Sequence, residues 1–287
     1  MNGAASHRVA PRRHSSLRRA LFRGVEHAAR LCGGRAFYRW RHLGRGRLLE
    51  REECVRVPEL DPVWHGLTIA QLSDLHAGPF LGRGDLSHVV DCVRARRVDL
   101  LAVTGDFLTH GVEDSLLVLD ELAAMPAPLG RFAVLGNHDY RGRREAELVA
   151  ACAARGIRVL IDESLPLERG AARLWIRGLG DLEEARTLDP RAGAQAIPEG
   201  DADILLAHHP RAGRSCLRPR TRLVLSGHTH GMQLDLPILR RLGPAHPGLR
   251  YRSGPALVVV SRGLGVIGFP LRVGAPAEVV FLRLECA

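Results

Sequence analysis

The sequence predicts an α/β fold, with a parallel sheet in its first half and a second, mixed sheet in its second half. Three features carry that reading. From residue 66 onward, short apolar runs end in clusters of polar residues, the pattern of buried strands closed by loops. In the first half of the chain helical patterns separate those runs, as parallel strands joined by crossovers require. In the second half strands follow one another with little helix between them, which points to a second sheet of mixed direction.

Taken in order, residues 15–32 place Leu17, Leu21, Phe22, Val25, Ala28, Ala29 and Cys32 at helical spacing, with Arg18, Arg19, Arg23 and Arg30 among them. A basic amphipathic helix lying on an anionic membrane surface is one reading; an unstructured tail or a helix packed on the body is the other. Residues 33–50, with Gly33-Gly34 and five more Arg, read as a linker. The expected strands are Leu67–Leu72, Leu100–Val103, Phe132–Leu135, Ile157–Leu160, Leu174–Ile176, Ile204–Ala207, Leu223–Leu225, Leu257–Val260 and Val279–Leu282. Helical patterns lie near 85–96, 112–124 and 143–155. The division expected is therefore an Arg-rich arm and linker over residues 1–50 and one folded domain over 51–287.

Charge follows the same division. Residues 1–50 hold twelve Arg and two Glu, which equals the whole chain's excess of +10, so the remainder is neutral. An arm of this kind suits phospholipid head groups, nucleic acid or no particular partner. Phe22, Phe37, Tyr38 and Trp40 within it suit either base stacking or a membrane interface. No run of eighteen apolar residues occurs, which excludes the simplest transmembrane helix. Arg18-Arg19-Ala20-Leu21-Phe22 faintly resembles a twin-arginine export signal, but Glu26, His27 and Arg30 interrupt the apolar core such a signal needs. The location expected is cytoplasmic, peripheral at the inner face of the membrane. Six cysteines without a CxxC pair are expected as buried, reduced thiols.

The chemistry lies where the polar clusters fall. Asp74 and His76 follow the first strand, Gly105-Asp106 the second, and Gly136-Asn137-His138-Asp139 the third. His208 follows the strand at 204–207, and Gly227-His228-Thr229-His230 the one at 223–225. Singly, most are ordinary turn vocabulary: Asp74 suits a helix cap, Gly-Asp a tight turn, and His208-His209 a surface pair. Together they stand at five strand ends, where ligands bind in open α/β sheets. Imidazoles and carboxylates without thiolate suit Zn, Mn or Fe. The donors outnumber what one ion needs, and a carboxylate can bridge two ions.

This ordered set, D-x-H, G-D, G-N-H-D, H and G-H-T-H, resembles the calcineurin-like metallophosphoesterase superfamily over about residues 66–284. Leu135–Tyr140 (LGNHDY), Leu206–Pro210 (LAHHP) and Ser261–Gly265 (SRGLG) look most like the small bacterial YkuE/YaeI-like phosphoesterases, which are often membrane-associated. The resemblance implies an αββα sandwich of two mixed sheets flanked by helices. It implies two divalent ions (Mn, Fe or Zn), one held by Asp74, His76 and His230 and one by Asn137, His208 and His228, with Asp106 bridging. His138 would face the phosphate, with Asp139 orienting its ring. The implied reaction is attack of a metal-bridging hydroxide on a phosphate ester, foremost a diester. The family block usually runs G-H-T-H-G-G-Q, whereas here Met232 stands between Gly231 and Gln233, beside the site. His209 occupies a position that often holds Asn in relatives, and no role beyond support of a neighbouring ligand is expected of it. Alternatives are a pyrophosphohydrolase of a nucleotide-linked lipid, of UDP-diacylglucosamine type; a nucleic-acid phosphodiesterase using the basic arm; and a scaffold that has lost its metals.

Overall fold

The computed structural model describes residues 16–184, 191–236 and 248–287, with side chains from residue 23 onward. Residues 1–15 of the expected arm lie outside the described residues, as do 185–190 and 237–247. The chain enters through α1 (Ser16–Leu31), α2 (Gly34–Tyr38) and one π-helical turn, Arg39–Leu43. The first sheet then begins with β1 (Leu49–Val57), β2 (Thr68–Leu72), α3 (Ser87–Arg96), β3 (Leu100–Thr104), α4 (Val112–Ala123) and β4 (Arg131–Val134). It continues through the short α5 (Asn137–Tyr140), α6 (Glu145–Ala153) and β5 (Ile157–Val159). The second sheet takes β6 (Glu163–Arg169), β7 (Ala172–Gly178), β8 (Asp203–Leu206), the short α7 (Ala212–Ser215), β9 (Thr221–Ser226), β10 (Arg250–Ser253) and β11 (Ala256–Val260). β12 (Glu278–Cys286) returns to the first sheet.

The strand orders are β1-β12-β2-β3-β4-β5 and β10-β11-β9-β8-β7-β6. β2, β3, β4 and β5 run parallel, whereas β12 enters antiparallel to β2, so both sheets are mixed. Strand alternation sorts the side chains into layers. Along β3, Leu100 and Ala102 meet Ile176, Ile204, Leu223 and Val280 between the sheets. Leu101 and Val103 turn the other way, onto Val89, Val93, Leu119 and Leu148 of the helices. On the far side of the second sheet Leu205, Val224 and Val258 pack with Ala212 of α7. Each fully buried Val, Leu or Ile side chain among these stabilises the fold by about 1.5–3 kcal/mol. The two-sheet sandwich is the expected one.

All nine expected strands form. The three that sequence patterning misses are β1, β6 and β10, and all three are sheet edges. An edge strand presents a row of unpaired backbone groups, and charged residues keep it from pairing with other chains. LEREECVRV in β1 and RYRS in β10 are such sequences, with exposed charges alternating along them, and neither forms an apolar run. The linker expected over residues 33–50 is corrected. Tyr38 and Leu43 are fully buried, and Leu49–Glu50 already belong to β1, whose pairing with β12 covers nine residues. The described part of the arm is a helix packed on the body. Among the described residues no helix is long and apolar enough to cross a membrane. Cys92, Cys152 and Cys216 are buried as expected, but Cys32 and Cys54 are exposed and Cys286 is half-buried.

Candidate metal centre

Every expected donor follows directly on a strand's carboxyl end, and the local backbone explains how they converge. Asp74, His76, Asp106, His228 and His230 all take left-handed backbone angles, with φ between 44° and 70°. Asp and His tolerate this region better than most residues, yet each such residue costs about 1–2 kcal/mol. The chain thereby turns sharply enough for each strand to place a side chain above its own end. Gly105 (φ 88°) precedes Asp106, and a Cβ there would lie 2.7 Å from the Gly136 nitrogen. At Gly227 a Cβ would lie 1.9 Å from Ser73 Oγ and 2.3 Å from Asp74 Oδ2, so only glycine lets the two sheets' loops close. Gln71 ties the sheets beneath the site, donating to Thr104 Oγ1 (3.2 Å) and the Ser226 carbonyl (2.9 Å).

Asp74, His76, Asp106 and His230 bring four donor atoms within 4.8 Å of one another, all buried. His76 Nε2 lies 3.0 Å from His230 Nε2 and 3.3 Å from Asp106 Oδ2, and His230 Nε2 lies 3.4 Å from Asp74 Oδ1. Asp106 Oδ2 is equally 3.3 Å from His208 Nε2, which is 3.3 Å from His228 Nδ1. Donors about 2.1 Å from a shared ion are spaced about 3.0–3.4 Å apart, so these separations suit divalent cations. Asn137 Oδ1 is buried with no hydrogen-bond partner, an acceptor that a cation would satisfy. The residues therefore fit a metal pair.

The electrostatics agree. Burial holds His76 and His230 well below the usual imidazole range and lowers His228 to about 2, leaving neutral rings with lone pairs to donate. His208 goes the other way: burial opposes its charge, but Asp106 and then Asp74 raise it well above the usual range. His208 Nδ1 faces the Thr104 carbonyl at 2.8 Å, which makes Nε2 the nitrogen presented to Asp106. Bound cations would take the place of the proton His208 carries.

A second group, Glu183, His209 and His228, also gathers donor atoms within 4.8 Å. His209 Nδ1, however, accepts the Arg211 N–H at 3.1 Å, so its proton sits on Nε2, 3.7 Å from the Glu183 carboxylate. Freeing Nε2 for a cation would put the proton on Nδ1, against the Arg211 N–H, so His209 is poorly placed as a donor. His209 instead stacks on His228 at 4.4 Å and braces it.

His138 lies edge-on to His76, ring centroids 4.6 Å apart, and burial lowers its pKa to about 4. The expected role of Asp139 as its orienting group is corrected. Both Asp139 oxygens are taken by backbone N–H groups: Asp106 and Gly136 (each 2.9 Å) on Oδ2, Phe107 (2.9 Å) and Leu108 (3.3 Å) on Oδ1. Asp139 positions the two loops, while Thr109 and Arg141 hold the ring. His138 Nδ1 is 3.3 Å from the Thr109 carbonyl and 3.2 Å from Arg141 Nη1. Neither Thr109 nor Arg141 carries a motif signature. Met232 takes a left-handed backbone (φ 72°) that glycine would adopt without strain. Gln233 beside it clamps the loop at Ile267, its Nε2 donating to the carbonyl and its Oε1 accepting the N–H, both at 3.0 Å. Leu264 N–H and Gly265 N–H bond the Ser73 and Asp74 carbonyls at 3.0 and 2.7 Å, so the SRGLG segment buttresses Asp74.

Residues 67–232, more than half of the chain, match the model of the calcineurin-like phosphoesterase family. The chain belongs to that family. An uncharacterized metallophosphoesterase of Aquifex aeolicus is 30% identical over 227 residues, covering 76% of this chain and 85% of that one. The uncharacterized metallophosphoesterase YkuE of Bacillus subtilis is 28% identical, covering 91% of this chain and 94% of its own length. A transmembrane protein with metallophosphoesterase domain from Danio rerio is 32% identical, covering 81% of this chain. This phosphoesterase chain spans 56% of the length of that fish protein.

Proposed function

We propose that the chain is a dinuclear-metal-dependent hydrolase of phosphate esters, acting on diesters. The observation that carries the reading is Asp106 Oδ2, 3.3 Å both from His76 Nε2, which stands beside His230, and from His208 Nε2, which stands beside His228. Asp74, His76, Asp106 and His230 would hold one ion; Asp106, Asn137, His208 and His228 the other. Such a pair, when bound, offsets the phosphate's negative charge and activates water as a nucleophile near neutral pH. Of the described residues around the donors, only Arg141 bonds His138 with a guanidinium, which suits the single charge of a diester. Arg141 and the Thr109 carbonyl both face Nδ1 of His138, so Nε2, which forms no hydrogen bond with the described residues, is the nitrogen left to face the leaving oxygen. Screening phosphomonoesters, phosphodiesters and nucleotide-diphospho-lipids with Mn, Zn, Fe and Mg tests the reading; no turnover with any of them would overturn it.

His138→Ala is expected to keep both ions and lower kcat about 10²-fold, in the range general acid–base groups contribute. Elemental analysis beside the chromogenic assay checks it: a variant that loses metal would make His138 a ligand.

The arm supports a membrane-facing role. Leu31, Phe37 and Trp40 are 74%, 42% and 64% exposed, and Arg47 stands over the Trp40 ring. Aromatic side chains among arginines are suited to an anionic lipid interface. Tyr38, by contrast, is buried with its hydroxyl on the Leu264 carbonyl, out of reach of a nucleic-acid base. Replacing Phe37 and Trp40 by Ala should weaken binding to phosphatidylglycerol vesicles about tenfold or more; unchanged sedimentation with vesicles would end this part of the proposal.

A further inference from the structure

Between α1 and the loop after β3 lies a hollow of about 420 Å³, lined by Arg23, Glu26, His27, Arg30, Pro79 and His110. Arg23, His27 and Arg30 stand at i, i+4 and i+7, one face of the helix, and that face turns toward the loop. Glu26 is the acidic group of the lining, and it is already committed. It is buried, with Oε2 2.7 Å from His110 Nε2 and Oε1 accepting the Gly268 N–H at 3.1 Å. Neither Arg23 nor Arg30 forms an ion pair with the described residues. The hollow thus offers uncompensated positive charge with two imidazoles beside it.

Its position matters as much as its charge. His110 follows Thr109, whose carbonyl faces His138 Nδ1 and whose hydroxyl donates to the His76 carbonyl at 2.8 Å. One loop therefore forms the wall of the hollow and the support of the metal cluster. Glu26 also fixes the helix to this loop and to Gly268 in the segment that Gln233 clamps. The arm helix is thereby tied to the loop that supports the site.

We propose that this hollow is a subsite for a second phosphate group of the substrate, one other than the phosphate being hydrolysed. The inference rests on the phosphoesterase reading above and adds to it: the substrate carries a further phosphate, and the arm helix reads it. Paired guanidiniums and imidazoles are the groups that bind phosphate oxygens by charge-assisted hydrogen bonds. The volume exceeds that of one phosphate, leaving room for the sugar or linker that joins it to the scissile group.

Two measurements on the full chain test this. In the first, metal-stripped protein is titrated with inorganic phosphate while the His27 and His110 ring protons are followed by NMR, assigned with H27Q and H110Q. Saturable shifts are expected in the wild type and their loss in the R23A/R30A double variant. In the second, thymidine 5′-(p-nitrophenyl phosphate) is compared with the same ester carrying a 3′-phosphate. The ratio of the two kcat/KM values should fall about tenfold in R23A/R30A, a size typical of charge-assisted contacts at a partly exposed site. Shifts that persist in the double variant, or a ratio that does not move, would overturn the proposal. So would loss of phosphatidylglycerol vesicle binding in R23A/R30A with the ratio unmoved, which would assign the arginines to lipid head groups. Absence of all turnover would remove the phosphoesterase reading instead, while the phosphate titration would still decide whether the hollow binds.

Discussion

Asp106→Asn should lower kcat/KM for a chromogenic phosphodiester on the order of 10³-fold, more than the 10–100-fold typical of losing an outer-shell partner. The side chain keeps its size, but the charge between the two halves of the cluster is gone. In the present geometry Asp106 Oδ2 faces His76 Nε2 and His208 Nε2 at the same 3.3 Å, and Oδ1 accepts the His138 N–H at 2.9 Å. An amide can put its oxygen toward only one of these sides. If oxygen stays on the imidazoles, the NH₂ meets the His138 N–H; if it turns, the NH₂ points between two nitrogen donors. Either way the two sites are no longer joined by an anion, and elemental analysis should find clearly fewer than two ions per chain. Asp106 also contributes the charge that raises His208, so in the variant the metal-free His208 should titrate lower. Full activity with two bound ions would sink the bridging role and the mechanism built on it.

The sequence made part of this geometry readable and hid the rest for physical reasons. Central strands such as β3 and β11 are buried on both faces, so each reads as a nearly unbroken apolar run. Donors at their carboxyl ends stand out because a run such as LLAVT stops abruptly at Gly105-Asp106. Edge strands carry their information in backbone pairing, which β1 shows along nine residues of β12 without any apolar run of its own. The arm misled in the same way: α2 is only five residues long, and what fixes it is Tyr38 under the 264–272 segment, more than 220 positions away. Within the site, a ligand type can be recognised from its chemistry, whereas a backbone carbonyl such as that of Thr109 has no sequence signature. Asp139 was visible as a residue but not as a role, because the donors it satisfies belong to peptide groups.

That role sets the second large expectation. Asp139→Ala should destabilise the metal-free protein by about 4 kcal/mol or more in urea unfolding. Its carboxylate accepts the N–H groups of Asp106, Phe107, Leu108 and Gly136, and all four residues are buried. A buried donor left without a partner costs about 1–3 kcal/mol, and water entering the gap recovers part of that. Asp139→Asn should fall between wild type and Asp139→Ala. Its oxygen can serve one pair of donors, but its NH₂ then faces the other pair, donor against donor. Measuring without metal matters, because metal binding would add its own stability to whichever variant retained it. His138→Ala is the matched control one residue away: its ring meets the Thr109 carbonyl and Arg141 and holds no peptide donors. It should lose rate while leaving unfolding nearly unchanged. An Asp139→Ala chain within about 1 kcal/mol of wild type would mean that the loops carrying Asp106 and Asn137 hold their shape without it. The left-handed turn at Asp106 would then have to be held by the turn sequence alone, which an unstrained Gly105 and a strained Asp106 do not supply.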